Sequence, residues 1–596
     1  MLKNHPKGLL VAFFANMGER FGFYTMMAIL VLFLQVRFGL SEEVAGDYYS
    51  WFYFGIYALA LIGGILADYS KKYKLVILVG IVVMLTGYAM MAMPGVSLNI
   101  TLLSLFVIAL GNGLFKGNLQ AVVGQLYDNE KYGKLRDSAF MIFYMGINVG
   151  AFFAPFAATG VRDWWLKTNG FLQDGSLPSL CHQMLAGKLT DTTQFASLAN
   201  KVSLTGPVTD LNAFATAYLD VFSRGYNYAF GIAAIAMVIS LLVYIFFNKH
   251  LPNKQEVVVE KTEKTSAENK SSLITIIVAL LVGGLVTFLV SLLKDYKTGM
   301  AIGLLGTFVT WIIMSSTKEE KARVTSLILV FFVVIFFWMS FHQNGLTLTF
   351  FARDYIVKQV GPFTNIFFTL PSILSFIAGI GGLFLAFGKN KLSNRLIGAA
   401  MTVSGAGLCY YFISKSSSLN SISPEVFQSF NPLFIVFLTP MVMGVFAWLN
   451  KIGKEPSTPR KIGIGMIIAA IGFLVVLVGS LSLLSPHDLN GQAVPDSSRV
   501  NPYWLISSYL VLTIAELFLS PMGLSFVSKV APQRFQGLMQ GGWLLATAVG
   551  NKLLFVGSFF WGKLDLWQLW LIFIVCCLLS ASFIFSIMKR LERVTN

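Results

Sequence analysis

Residues 8–36 read GLLVAFFANMGERFGFYTMMAILVLFLQV. A helix needs about 20 predominantly apolar residues to cross a bilayer, and this run exceeds that while carrying Glu19 and Arg20 near its middle. A charge at that depth costs about 2.5–3.5 kcal/mol on insertion scales, so a span that keeps two of them does more than anchor the chain. The pair also argues against a cleavable signal peptide, and the run is expected to stay as a helix. Outward from it, comparable runs recur at 46–68, 75–94, 100–125, 138–160, 226–247, 272–293, 298–316, 325–352, 363–387, 396–414, 424–450, 462–485, 502–528, 535–561 and 565–588. The chain is therefore expected to be an all-α polytopic membrane protein of sixteen spans.

Composition agrees. Of 596 residues 56% are hydrophobic and only 12% charged, against about 25% charged in soluble domains. Soluble enzymes, disulfide scaffolds and disordered chains are excluded, and the runs are too continuous for the alternating strands of an outer-membrane barrel. Cys409, Cys576 and Cys577 lie in apolar runs and Cys181 stands alone in a polar stretch. Neither a disulfide framework nor a metal cluster is implied, and no cofactor is expected. The net charge of +16 finds its explanation in topology. With the N-terminus inside, 28 of the 44 Lys and Arg fall in cytoplasmic segments, and 13 fall outside, five of those in one long loop. Both termini are expected in the cytoplasm, and no nucleic-acid partner is needed.

The stretch 248–271 is charged and lacks apolar periodicity, as a linker between two bundles would. The expected organisation is an N-terminal six-helix bundle over 1–247, with 161–225 as an external loop. A cytoplasmic linker with an inserted helix pair follows over 248–324. The first helix of the C-terminal bundle is 325–352, a second inserted pair spans 353–423, and the bundle is completed by 424–596. Each inserted pair leaves and returns to the same side, so twelve core helices remain. The loop 161–225 is read as a spacer rather than a cap.

Few ionisable groups lie deep in the spans: Glu19, Arg20, Lys116, His342 and Glu516. The first half then holds two cations against one carboxylate, and the second a carboxylate and an imidazole. Opposed across a bundle interface, they suit a small zwitterion, its carboxylate drawn to Arg20 and Lys116 and its ammonium to Glu516. The bland alternative is that Glu19, Arg20 and Lys116 merely neutralise one another. His342 is either a hydrogen-bonded core residue or a proton carrier, since an imidazole titrates near pH 6.5. Lys552 is read as snorkelling from the outer end of its helix, and Asp68 as serving a loop contact.

NMGERFGFY at 16–24, YALALIGGILAD at 57–68, GNGLFKGN at 111–118 and FYMGINVG at 143–150, with FFWMSFHQNG at 336–345, FQSFNPLFIVFLTP at 427–440 and AELFLSPMG at 515–523, resemble the proton-dependent oligopeptide transporters of the major facilitator superfamily. The resemblance runs through nearly all the core helices in order. It implies a major facilitator fold in a bacterial inner membrane and import of di- and tripeptides by alternating access, coupled to protons. Carried over by position, Arg20 and Lys116 would take the peptide carboxylate, with Glu19 in their network, and Asn431 and Glu516 the amino terminus. Tyr24, Tyr57, Asn148 and Trp543 would line the cavity. The pair at 272–316 matches the inserted pair of bacterial members, whereas 363–414 looks like a further insertion.

The departures concern protons. Asn16 replaces the first acid of the family's ExxER motif, Phe23 a tyrosine and Met27 a frequent basic residue, while His342 stands where an acid is usual. Protonation is therefore expected at His342, Glu19 or Glu516. The same fold carrying amino acids or another small carboxylate is the first alternative. A membrane-embedded enzyme is the second, and it is disfavoured because HExxH, GxSxG and P-loop sequences are lacking.

Overall fold

The computed structural model describes residues 5–128, 131–189, 191–252, 266–388 and 391–595. Among them sixteen helices are long and apolar enough to span a bilayer: α1 (Lys7–Phe38), α2 (Glu42–Ser70), α3 (Tyr73–Ala92), α4 (Leu98–Gln125), α5 (Arg136–Thr168), α6 (Leu211–Phe247), α7 (Ser266–Leu293), α8 (Tyr296–Ser315), α9 (Lys321–Phe341), α10 (Leu370–Phe387), α11 (Leu392–Lys415), α12 (Phe430–Lys451), α13 (Thr458–Ser480), α14 (Tyr503–Val530), α15 (Gln536–Lys552) and α16 (Leu566–Ser586). An even number of crossings leaves both termini on one face.

Two six-helix bundles emerge from the packing. α1 lies along α5 and α6, α2 along α4, and α3 along α4 and α6. In the second half α13 packs on α14 and α16, α9 on α15 and α16, and α12 on α14. The bundles meet where α2 lies on α15 and α5 on α12. The pairs α7–α8 and α10–α11 pack chiefly on themselves, and much of their remaining surface is apolar and exposed, as befits lipid contact. Of the expected linker, residues 253–265 lie outside the described residues, as do 389–390 of the charged run that precedes α11.

The run 325–352 is not one helix. α9 ends at Phe341, a 3-10 turn covers His342–Gly345, and a short helix resumes at Thr347–Asp354. Leu346 has φ −124° and ψ −89°, outside the helical well. The freed Asn344 carbonyl accepts the Tyr509 hydroxyl at 2.6 Å and the Thr349 hydroxyl at 3.2 Å, so the break satisfies its backbone inside protein. Gly345 is required there, because a Cβ would sit 2.2 Å from the Tyr49 hydroxyl.

The expected external loop 161–225 is shorter than read, since 161–168 continue α5 and 211–225 open α6, and its described residues between those helices form a folded cap, which corrects the spacer reading. Short helices Leu177–Leu185 and Thr193–Val202 bury Leu177, Leu180, Cys181 and Phe195. Their apolar spacing, Leu177, Leu180, Cys181 and Met184, follows one helical face and was available in the sequence. The cap belongs to the first half but is tied to the second. Lys358 Nζ donates to both Asp174 oxygens at 2.6 Å, Gln194 exchanges two hydrogen bonds of 2.9 Å with the Ala493 backbone, and Gln183 donates to the Gly491 carbonyl at 3.0 Å.

Ion pairs, one of them fully buried, close the same face, opposite the termini. Arg162 meets Glu425, which also accepts the Tyr226 hydroxyl at 2.8 Å. Arg353 meets Glu42 at 3.0 Å. Lys552 meets Asp47 at 2.5 Å and is wholly buried, so it does not snorkel. Each pair joins one half to the other. On the terminus face Asp68 accepts the Tyr73 hydroxyl across the α2–α3 turn, the loop contact expected of it.

Candidate functional site

The chamber residues sit in mid-span, on helices held apart by the two halves. Arg20, on α1, is buried and forks onto Glu19 at 2.5 and 2.6 Å, while the Asn112 amide on α4 donates to Glu19 at 2.6 Å. The Arg20 guanidinium also lies 4.6 Å from the centre of the Phe23 ring, so the departure from tyrosine at that position retains the aromatic face and loses only the hydroxyl. Glu19 is thus fully occupied by groups of its own half, as the neutralising alternative supposes. Lys116 is different. One helical turn after Asn112, it lies over the Tyr57 ring at 4.2 Å and makes no ion pair among the described residues.

Across the interface Glu516, on α14, accepts from the Asn431 amide at 2.9 Å, and Asn431 is steadied by the Thr513 hydroxyl at 3.0 Å. No cation pairs with Glu516 among the described residues. Tyr24 and Tyr57 are half-buried and lie within electrostatic reach of both Arg20 and Glu516. Asn148, on α5, is partly exposed and donates to the Tyr144 carbonyl at 3.1 Å. Trp543 is only 3% exposed, its ring laid on Gly523 of α14 and 6.4 Å from Phe331 of α9. In this conformation it is packing between three helices rather than open lining.

His342 sits above the chamber, in the turn that follows α9. Its Nδ1 is 2.5 Å from the Asn551 amide oxygen, and its ring lies between Tyr53 at 4.5 Å and Trp338 at 4.6 Å. Asn112, Thr513 and Asn551, which orient the ionisable groups, were not singled out from sequence. The first lies in the quoted GNGLFKGN stretch, and Asn551 directly precedes Lys552.

Two six-helix bundles, each with ionisable groups in mid-span, make an all-α polytopic membrane fold of the major facilitator kind. The family model described as the POT family matches residues 74–373 and 412–558, well over half of the chain. The chain belongs to the POT family. The unmatched gap 374–411 falls across α10 and α11.

Among curated proteins the chain is 25% identical over 563 residues to the uncharacterized transporter YclF of Bacillus subtilis, covering 92% of this chain and 87% of that one. It is 24% identical over 554 residues to the dipeptide and tripeptide permease A of Escherichia coli, covering 92% and 83%. A solved POT family transporter in complex with a thioalcohol-conjugated peptide superposes with TM-score 0.66 at 22% identity, covering 100% of this chain and 98% of the other. Another, in complex with 5-aminolevulinic acid, gives 0.65 at 21% with the same coverage. These structures share the fold. Family membership makes the chain a multi-pass membrane transporter and sets aside the enzyme reading.

Proposed function

We propose that this protein imports di- and tripeptides across a bacterial inner membrane by alternating access, coupled to proton entry. One observation carries the reading. Lys116 and Glu516 are opposite charges, deep in spans of different halves, and neither has an ionic partner among the described residues. A charge kept unpaired at that depth awaits a ligand, and a peptide's two ends supply both counter-charges at once. Arg20, with Glu19 in its network, joins Lys116 at the carboxylate, Asn431 joins Glu516 at the amino terminus, and Tyr24, Tyr57, Asn148 and Trp543 shape the space between. The relatives named for dipeptides and tripeptides support the same substrate class.

The halves 1–247 and 325–352 with 424–596 act as the rocking bodies, and the segments 248–324 and 353–423 carry the inserted pairs. With both termini in the cytoplasm, the sealed face is periplasmic and the conformation faces inward. His342, Glu19 and Glu516 are the proton-coupling candidates of the chamber. Uptake of labelled dialanine into proteoliposomes, with and without an inward pH gradient, tests the proposal. Accumulation only with the gradient, competed by dipeptides and not by free alanine, is expected. Competition by alanine equal to that by dialanine would replace peptides with amino acids as the substrate.

A further inference from the structure

Beneath the cap, on the sealed face, lies a cavity of about 460 Å³. That falls within the roughly 300–1,000 Å³ of sites that hold small molecules. Three parts of the chain wall it: the end of α1 and start of α2 with Gln35 and Glu42, the cap with His182 and Lys188, and the second half with Arg353 and Glu425. The cap wall is pinned to α1, because His182 Nε2 donates to the Val36 carbonyl at 2.8 Å. The mid-span groups Arg20, Lys116 and Glu516 do not line this cavity. Gln35 follows Arg20 on the same helix by a rise of about 22 Å at about 1.5 Å per residue.

The charges beside the cavity do not balance. Arg162 is shared between Glu425 and Asp163, the latter at 2.8 Å, and Arg353 between Asp354 at 2.7 Å and Glu42 at 3.0 Å. Two guanidiniums thus serve four carboxylates. Glu425 is wholly buried, and while Oε1 takes Arg162 and the Tyr226 hydroxyl, Oε2 has no hydrogen-bond donor among the described residues. A buried carboxylate oxygen is ordinarily satisfied, so this one calls for a donor. Glu42 gives Oε1 to Arg353 and to the Gln35 amide, each at 3.0 Å, and its side chain stays 32% exposed. In the cap, Lys188 is exposed and makes no ion pair among the described residues. The cavity therefore lacks a cation at its acidic wall and an anion at its cap wall. One small molecule with an ammonium at one end and a carboxylate at the other supplies both.

We infer that this cavity is a second peptide site, and that its occupant holds the outer face shut. The peptide ammonium meets Glu425 and Glu42, and its carboxylate meets Lys188. The inference rests on the peptide import proposed above. Because both halves and the cap wall the cavity, it exists as one space only while the outer face is sealed. A ligand there binds the sealed state alone and shifts the carrier toward it. External peptide thus enters through the chamber at low concentration and opposes reopening of the outer face at high concentration.

Two measurements on the full-length carrier test this: dialanine bound per carrier at equilibrium, and initial uptake into proteoliposomes across a wide range of external dialanine. Wild type is expected to bind two dialanines and to lose about half or more of its peak rate at the highest concentrations. Ser179, exposed in the cap, also lines the cavity. Ser179→Phe fills the space and is expected to bind one dialanine, to keep uptake at low dialanine within about twofold and to lose the inhibition. Lys188→Met should weaken the second dialanine about tenfold or more, and should not further weaken the amidated dipeptide, which already lacks the carboxylate. One dialanine bound by wild type and Ser179→Phe alike means that the cavity holds water only, and overturns the inference. So does an amidated dipeptide that fills the outer site as well as dialanine, since the occupant is then an amine, or a rate that never falls although two dialanines bind. Two bound dialanines without uptake under any gradient sink the import proposal and leave the outer site standing, whereas uptake with one bound dialanine does the reverse.

Discussion

On the proposed reading each end of a peptide meets its own set of side chains, so the two ends are separable by experiment. A hydrogen bond to a charged group contributes about 1.5–3 kcal/mol, so Lys116→Met is expected to raise the half-saturation concentration of dialanine about 10–100-fold. It should also bring the amidated dipeptide level with the free acid. Glu516→Gln should instead erase discrimination against the N-acetylated peptide and leave the amidated one as poor as before. Competition assays with the two blocked peptides decide, and a variant that loses both discriminations equally would contradict the division of labour. The ionisable members of this candidate site were legible in the sequence because a charge inside a long apolar run is costly at that depth and stands out for that reason. The amides that aim them were not. Asn112, Asn431 and Asn551 cost far less to bury, and only the fold shows that each faces an ionisable partner. Asn431 was placed by resemblance to a family, not by its surroundings. Lys552 was misread for a related reason, since its partner Asp47 lies in another helix of the opposite half.

Helices here are positioned by how closely they approach, and two of those approaches yield tests. A Cβ on Gly523 would fall 1.8 Å from the Trp543 ring, an overlap that a packed interface relieves only by displacing α15 from α14. Overpacking of this kind costs about 1–3 kcal/mol, so Gly523→Ala should lower the melting temperature of the detergent-solubilised protein. The double variant with Trp543→Leu should recover most of the loss. Unchanged melting of Gly523→Ala would show that the ring has room to leave. The second test concerns α10 and α11. Gln359 and Val360 pair with Ser421 and Asn420 in a two-stranded sheet, so the chain re-enters the bundle where it left it. Replacing residues 362–418 by a short turn should therefore leave the fold intact and dialanine uptake within about threefold of wild type. Loss of uptake with normal expression would assign the pair a working part. The element count and both inserted pairs followed from hydropathy, because apolar length is what lipid selects. The breaks after Phe341 and Lys552 did not, since a helix that stops inside protein keeps an apolar sequence while other side chains satisfy its backbone.

At the scale of the whole molecule, the cap bridges the two halves, so the alternating access proposed above requires it to move. It is inserted between α5 and α6 of the first half, yet its polar contacts bind loops of the second, so parting the halves must release it. Its principal tie is acid-sensitive. Burial raises the Asp174 carboxyl, but the Lys358 ammonium, with hydrogen bonds from Lys358 and Ser176, outweighs burial and holds it below the ordinary carboxylate range. A group depressed in the docked state contributes fully above its undocked value and loses that contribution as pH falls through the docked one. Docking should accordingly weaken below about pH 4, read as faster hydrogen exchange in 177–202 after correction for the intrinsic rate, and Asp174→Asn should show the fast exchange at neutral pH. Gln194 and Ala493 supply the functional test, because their paired hydrogen bonds join cap to second half far from the chamber. With Gln194→Cys and Ala493→Cys joined by a short reducible cross-linker, dialanine uptake is expected to fall about tenfold or more and to return on reduction, while each single cysteine variant transports normally. Peptide should still bind the cross-linked carrier from the cytoplasmic side, because that face is untouched. Uptake that continues under the cross-link would mean that the halves exchange access without lifting the cap.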